Sequence, residues 1–212
     1  MGGASFAGAS SGDVEWAGSS PAEPETMKRA TYDDVLNAPE NKVAEILDGE
    51  LVLSPRPAPR HSRAHSSLLG SLHPPFDRGI GGPGGWWILT EPELHLGEEV
   101  VVPDLGGWRR ERLAALPDEA FFSLPPDWLC EVLSPSTERI DRGRKLRIYA
   151  EAGVAHAWFL NPLERTLEVM RLRDGAWTIV SVSIDSAVVR AEPFEAIELD
   201  LSSLWADPAG TP

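Results

Sequence analysis

The sequence predicts a mixed α+β (α/β) domain: a mixed β-sheet flanked by helices, with extra β-hairpins on its N-terminal and C-terminal sides. Three observations carry this. Asp48–Gly49 and Asp174–Gly175 each interrupt alternating apolar runs, the strongest short-range hairpin signal. Two β-type apolar runs, 128–133 and 155–160, are joined by a helical stretch, 138–152. Strands joined that way are parallel neighbours with a right-handed crossover. A chain of 212 residues with 42% hydrophobic content can bury one sizeable core.

The elements follow in order. Residues 1–26 are Gly, Ser, Ala and acid, with no Lys or Arg. They read as a disordered extension, unable to bury enough surface to offset ordering entropy. The structured pattern opens at Met27, placed as a second start site would be, and the domain is expected over 27–206 with a loose tail at 207–212. Thr31 and Asp34 make a capping-box-like start to a short helix that must end before Pro39. Strands 43–47 and 50–53 flank Asp48–Gly49, and alternation places Glu45 on a face with Val43 and Leu47. Pro55, Pro57 and Pro59 mark a linker, and 61–72 reads as a helix. Its His61 and His65 share a face at i, i+4, a spacing that can hold a metal, yet no Glu follows His61 as the zinc-protease motif requires.

A Pro- and Gly-rich loop, 73–85, precedes strand pieces at 86–89 and 93–96. Val100–Val102 is a short strand that delivers Pro103 and Asp104, continued weakly by 105–108 through two glycines. Residues 109–116 read as a charged surface helix. In 128–133, Trp128, Cys130 and Val132 face one way, and Leu129, Glu131 and Leu133 the other. The next helix carries Lys145 and stops at Gly153; a second hairpin, 166–172 with 177–182, follows, and 183–205 holds one or two short strands.

Composition restricts function. No apolar run approaches the roughly 20 residues of a membrane helix, and no secretory signal is legible. The single cysteine, Cys130, fits a reducing cytoplasm and reads as a buried hydrophobe. A net charge of −14 is not the footprint of an ordinary nucleic-acid binder. The basic residues are nearly all arginine, so the rare Lys145 stands out as a compact point charge among Arg139, Arg142, Arg144 and Arg147.

Asp104 and Glu131 are acids set in β-type runs, a costly placement unless they pair or bind something. Two such carboxylates form a hard-oxygen site suited to Mg2+ or Mn2+, with Lys145 brought back over the same sheet to orient water or neutralise a developing phosphoryl charge. The arginines beside Lys145 form a basic cluster able to receive phosphates. The residues alone leave a second reading open: Asp104 accepts turn amides, Glu131 pairs with an arginine, and the basic helix is a solvated face.

Val102–Asp104, Glu131–Thr137, Asp141–Lys145, Tyr149–Val154 and Trp158–Pro162 closely resemble the Uma-two family of bacterial restriction-endonuclease-like proteins in the PD-(D/E)xK superfamily. Thr31–Asp34, Glu45–Leu51 and the helix beginning at His61 extend the likeness over most of the chain. The resemblance implies a restriction-endonuclease-like mixed sheet and a divalent-metal-dependent endonuclease acting on DNA. Asp104 matches the acid of the PD half-motif and Glu131 the second acid, both implied metal ligands. The superfamily's usual lysine position is occupied here by Leu133, and the family pattern supplies the lysine from the next helix as Lys145. Glu45 matches an accessory acid from the N-terminal part. His61, Arg142 and Arg144 are candidate substrate contacts, Mg2+ or Mn2+ the expected cofactor, nucleic acid the expected partner, and a homodimer the simplest way to cut two strands. The acidic charge and Leu133 keep two alternatives in view: a catalytically degenerate fold acting as a binding or assembly module, and a metal-dependent hydrolase of RNA or nucleotides.

Overall fold

In a computed structural model that describes residues 1–3 and 28–205, a short helix, α1 (Tyr32–Leu36), is closed by the Thr31–Asp34 capping box. The extension, the Met27 start and the C-terminal tail lie outside the described residues, apart from residues 1–3. The Asp48–Gly49 hairpin joins β1 (Lys42–Leu47) to β2 (Glu50–Pro55), with Glu45 opposite Val52. Asp48 and Gly49 both have positive φ, 56° and 78°, as this tight turn demands. Helix α2 (Pro59–Leu72) runs into a π-helical segment, His73–Asp77, so the first residues of the expected loop are helical.

The next three strands are β3 (Trp86–Thr90), β4 (Leu94–Leu96) and β5 (Glu99–Val101). A larger difference from the sequence reading falls after β5. β6 (Leu105–Arg109) does not continue β5. β5 belongs to a four-stranded sheet ordered β2-β1-β5-β4. β6 belongs to a six-stranded sheet that also holds β3, β7 (Trp128–Val132), β8 (His156–Asn161), β9 (Thr166–Arg173) and β10 (Ala176–Ile184). The chain changes sheets between Val101 and Leu105, where Pro103 cannot donate to a ladder, and Asp104 sits on that corner. The two glycines of β6 are tools of packing. A Cβ on Gly106 would lie 2.8 Å from Pro92 and 3.1 Å from the Trp108 ring, and one on Gly107 would lie 3.1 Å from the Trp128 ring.

The large sheet is ordered β10-β9-β8-β7-β6-β3, and only β7 and β8 are parallel, with Glu131 opposite Phe159. Its two faces build two cores. Trp128, Cys130 and Val132 pack with Ala64, Leu68 and Leu72 of α2, while Leu129 and Leu133 pack with Ile148, Tyr149 and Phe159. Strand parity therefore divides β7 as the sequence implied, with Glu131 on the second face.

Two helical expectations change. Arg109 ends β6 and 110–116 form a turn and bends, with Arg110 bonded to Trp86 O and Asp77 and stacked on Trp87 at 3.8 Å. The helix after β7 is not one α-helix but α3 (Glu138–Ile140), a π-helical stretch (Asp141–Lys145) and α4 (Leu146–Glu151). The chain closes with β11 (Val188–Val189) paired to β12 (Leu199–Asp200) and a turn of 3-10 helix, Leu201–Leu204.

Candidate active site

Lys145 is the centre of the site. It is 3% exposed, and its ammonium lies 2.8 Å from Glu131 Oε1, 3.0 Å from Glu45 Oε1 and 3.1 Å from Val102 O. An ammonium has three N–H donors, so all are engaged. Asp141 Oδ1 stands 3.8 Å away, four residues earlier in the chain. Tyr149, four residues later, donates its hydroxyl to Glu131 Oε1 at 2.6 Å. Asp141, Lys145 and Tyr149 thus present one buried row toward the sheet. The π-helical stretch lies between Asp141 and Lys145, and single π turns inside helices mark functional positions with unusual frequency.

Glu45 and Lys145 together fix the corner that carries Asp104. Glu45 Oε1 accepts from Val102 N at 2.9 Å, and Lys145 donates to Val102 O. Both backbone groups of the residue before Pro103 are therefore held. Asp104 itself is anchored at two points: Oδ2 accepts from Val132 N at 2.7 Å, and Oδ1 lies 3.2 Å from His61 Nε2. The first turn of α2 delivers His61 to that place.

Charge in this cluster is out of balance. A cavity of about 330 Å3 is lined by the carboxylates Glu45, Glu91, Asp104, Glu131 and Asp141, against Lys145, His61 and Arg56. Burial pushes Glu131 up to about 8; Lys145 opposes that rise, while Asp141 and Asp104 add to it. Burial likewise pushes Asp141 up to about 6, against the pull of Lys145. Lys145 goes the other way from an ordinary buried lysine. Burial disfavours its charge, but Glu131 and Glu45 outweigh burial, and its pKa stands well above the usual value. His61 is also raised, since the Asp104 carboxylate outweighs its burial.

The donor set fits a divalent cation in its chemistry: hard carboxylate oxygens from Asp104 and Glu131 in one cavity, with more negative charge than the local cations neutralise. Among the described residues no three His, Cys, Asp or Glu side chains form a ready-made cage, because Lys145 occupies the space between Glu45 and Glu131.

Of the residues singled out in the sequence, the structure brings together Glu45, His61, Asp104, Glu131 and Lys145. It does not bring in Arg142 and Arg144. Arg142 pairs with Glu138 and Glu168 and stacks over Phe159 at 4.8 Å. Arg144 pairs with Asp48 and Glu50 and reaches Leu47 O. Neither lines the cavity. His65 faces His61 with ring centroids 6.5 Å apart but does not line it either. Cys130 is buried, and burial together with Asp104 and Glu131 pushes its thiol well up, which removes it as a nucleophile. Asp141 and Tyr149 were missed in the sequence, although their four-residue spacing around Lys145 is legible there. Arg56 and Glu91, also missed, reach the cavity from loops and carry no sequence signal.

The sequence profile of the Uma2 (Uma-two) family, described as "Putative restriction endonuclease", matches residues 29–202. The chain belongs to the Uma2 family. Among solved structures, the chain is similar to a crystal structure from Anabaena variabilis described as "a putative nuclease belonging to DUF820". That match has a TM-score of 0.66 and 22% identity, and covers 82% of this chain and 97% of the other. At that identity it establishes a shared fold. No curated protein matches the chain significantly. The description of the family supports a nuclease-type protein, and the likeness to the solved fold agrees with the mixed sheet. Among the described residues no helix is long and apolar enough to cross a membrane.

Proposed function

We propose that this Uma2 protein is a divalent-metal-dependent endonuclease that hydrolyses phosphodiester bonds in DNA. The observation that carries the reading is the convergence of Glu45, Asp104, Glu131 and Asp141 on one cavity around a buried Lys145. Asp104 and Glu131 would hold Mg2+ or Mn2+. Bound there, the ion supplies Lewis-acid stabilisation of charge on a phosphoryl oxygen.

The chain's own residues do the rest. Val132 N and His61 hold the Asp104 carboxylate in one orientation. Glu45 and Lys145 hold the corner at Val102 from both sides. Lys145 keeps its proton and draws Glu45 and Glu131 together, and its cationic charge would oppose negative charge developing on a phosphoryl group bound in the cavity. To orient the attacking water, Lys145 must give up one of its three present acceptors.

The test is cleavage of plasmid and linear DNA by the full chain with Mg2+ or Mn2+, and with chelator. Cleavage is expected only with the ion, and Asp104→Asn and Glu131→Gln should each lower it by more than ~100-fold. Undiminished cleavage by folded Glu131→Gln would sink the proposal. An RNA and nucleotide panel tests the substrate class; cleavage of RNA alone would replace DNA as target.

One observation favours a second reading, a non-catalytic binding module: Lys145 is already paired with Glu45 and Glu131 and bonded to Val102 O. Calorimetry with Mn2+ separates the two. Absence of binding to folded protein at pH 8 supports the module.

A further inference from the structure

The two ends of the six-stranded sheet are finished differently. At the β3 end, Asp77 Oδ2 accepts from Ile88 N at 2.9 Å, Arg110 Nε donates to Trp86 O at 2.9 Å, and the π-helical segment packs alongside. That edge is closed by the chain itself. At the β10 end, the backbone of residues 176–183 bonds only to β9 among the described residues.

β10 also lacks two of the devices that protect open edges, charge and proline, and keeps one, a bulge between Ile179 and Ser181. Its nine residues, AWTIVSVSI, contain no charge and no proline, although 25% of the whole chain is charged. Its register with β9 sets Ile179, Val182 and Ile184 opposite Met170, Glu168 and Thr166, so the three share one face. They are 60%, 55% and 59% exposed, and Val180, left unpaired at a bulge, is 41% exposed. An exposed apolar row on an unpaired edge is not a finished surface for a monomer.

We propose that β10 pairs with β10 of a second copy of this chain, edge to edge and antiparallel, to form a two-fold dimer. Charge argues for a second copy. Each chain carries a net charge of −14, so two copies repel except where carboxylates are absent, and β10 is such a place. The strand carries no charge with which to select a different partner. A two-fold axis perpendicular to the sheet sets the row Ile179–Val182–Ile184 beside its own copy on the same face, and the pairing closes on itself without leading to fibres. The paired strip is about 30 Å long. That is at the small end of specific interfaces, so a dissociation constant on the order of 10 µM is expected. The inference is independent of the reading of the cavity.

Sedimentation equilibrium of the full chain from about 2 to 200 µM tests it, over the range where such a constant is measurable. A monomer–dimer equilibrium is expected. Val182→Lys and, separately, Ile179→Lys should each shift it at least ~10-fold toward monomer, with circular dichroism and melting temperature unchanged at about 1 µM, where wild type and variant are both monomeric. Either variant suffices if only one folds. A wild-type chain that stays monomeric throughout overturns the proposal, and so does a dimer that a folded lysine variant leaves intact.

Discussion

The ammonium of Lys145 lies 2.8 Å from the carboxylate of Glu131, and both side chains are almost wholly out of water. Removing one partner strands the other. Lys145→Met should cost about 3–5 kcal/mol, because Glu131 and Glu45 then lack their buried counter-charge. Adding Glu131→Gln to Lys145→Met should recover part of that loss. Urea melts of the two single variants and the double variant at pH 8 check this. Additive losses would show that the pair is not energetically coupled.

Asp104→Asn is expected to fold. An amide in place of the carboxylate can still accept from Val132 N through its oxygen and turn its NH2 toward His61 Nε2, whose neutral tautomer accepts. Stability should change by less than about 2 kcal/mol, while Mn2+ binding measured by calorimetry should be lost. Retained Mn2+ affinity in this variant would remove Asp104 from the metal ligands.

Glu131 and Asp141 stand at about 8 and about 6 in the folded protein, above their ordinary values of 4.5 and 3.8. Between those limits the folded protein binds more protons than the unfolded chain. Their contribution is therefore full below pH 4 and is lost as pH rises through 6 and then 8. Lys145 stays charged across this window and adds no slope. In chelator, the unfolding free energy of wild type should fall relative to Glu131→Gln between pH 5 and pH 8, by on the order of 2–4 kcal/mol. Parallel pH profiles for the two proteins would contradict the raised carboxyl.

Arg142 and Arg144 hold the fold together beside the site. Arg142→Ala should lower the melting temperature, since it loses the bidentate contact to Glu168 and the stack on Phe159. Arg144→Ala should do so less, its carboxylate partners being more exposed. Metal-dependent cleavage per folded molecule should stay within about threefold for both. A rise in KM for DNA without loss of stability would return these arginines to the substrate surface.

Much of the fold was legible because its signals are local. The Asp-Gly turns require positive φ, and hairpins followed at both. Alternation along Trp128–Val132 divided that strand between two cores. The surface helix expected at 109–116 is replaced by long-range contacts: Arg109 ends β6, Arg110 N–H donates to Gly85 O, and its guanidinium is held by Asp77, Trp86 O and the Trp87 ring. The π-helical stretch at Asp141–Lys145 has no periodic signature, since one extra residue in a turn does not alter the apolar pattern enough to read.

The sequence by itself determined which acids are costly, Asp104 and Glu131, and that a scarce lysine follows them on a helix. Residue type and strand parity are sufficient for that. Only the tertiary structure decided that Asp104 stands on the corner between two sheets, that Lys145 spends every donor on Glu45, Glu131 and Val102, and that Arg142 and Arg144 turn away. Those outcomes depend on contacts between segments far apart in the chain. The energies involved are set by burial and by charge balance in the assembled core, and neither is a property of any single stretch of sequence.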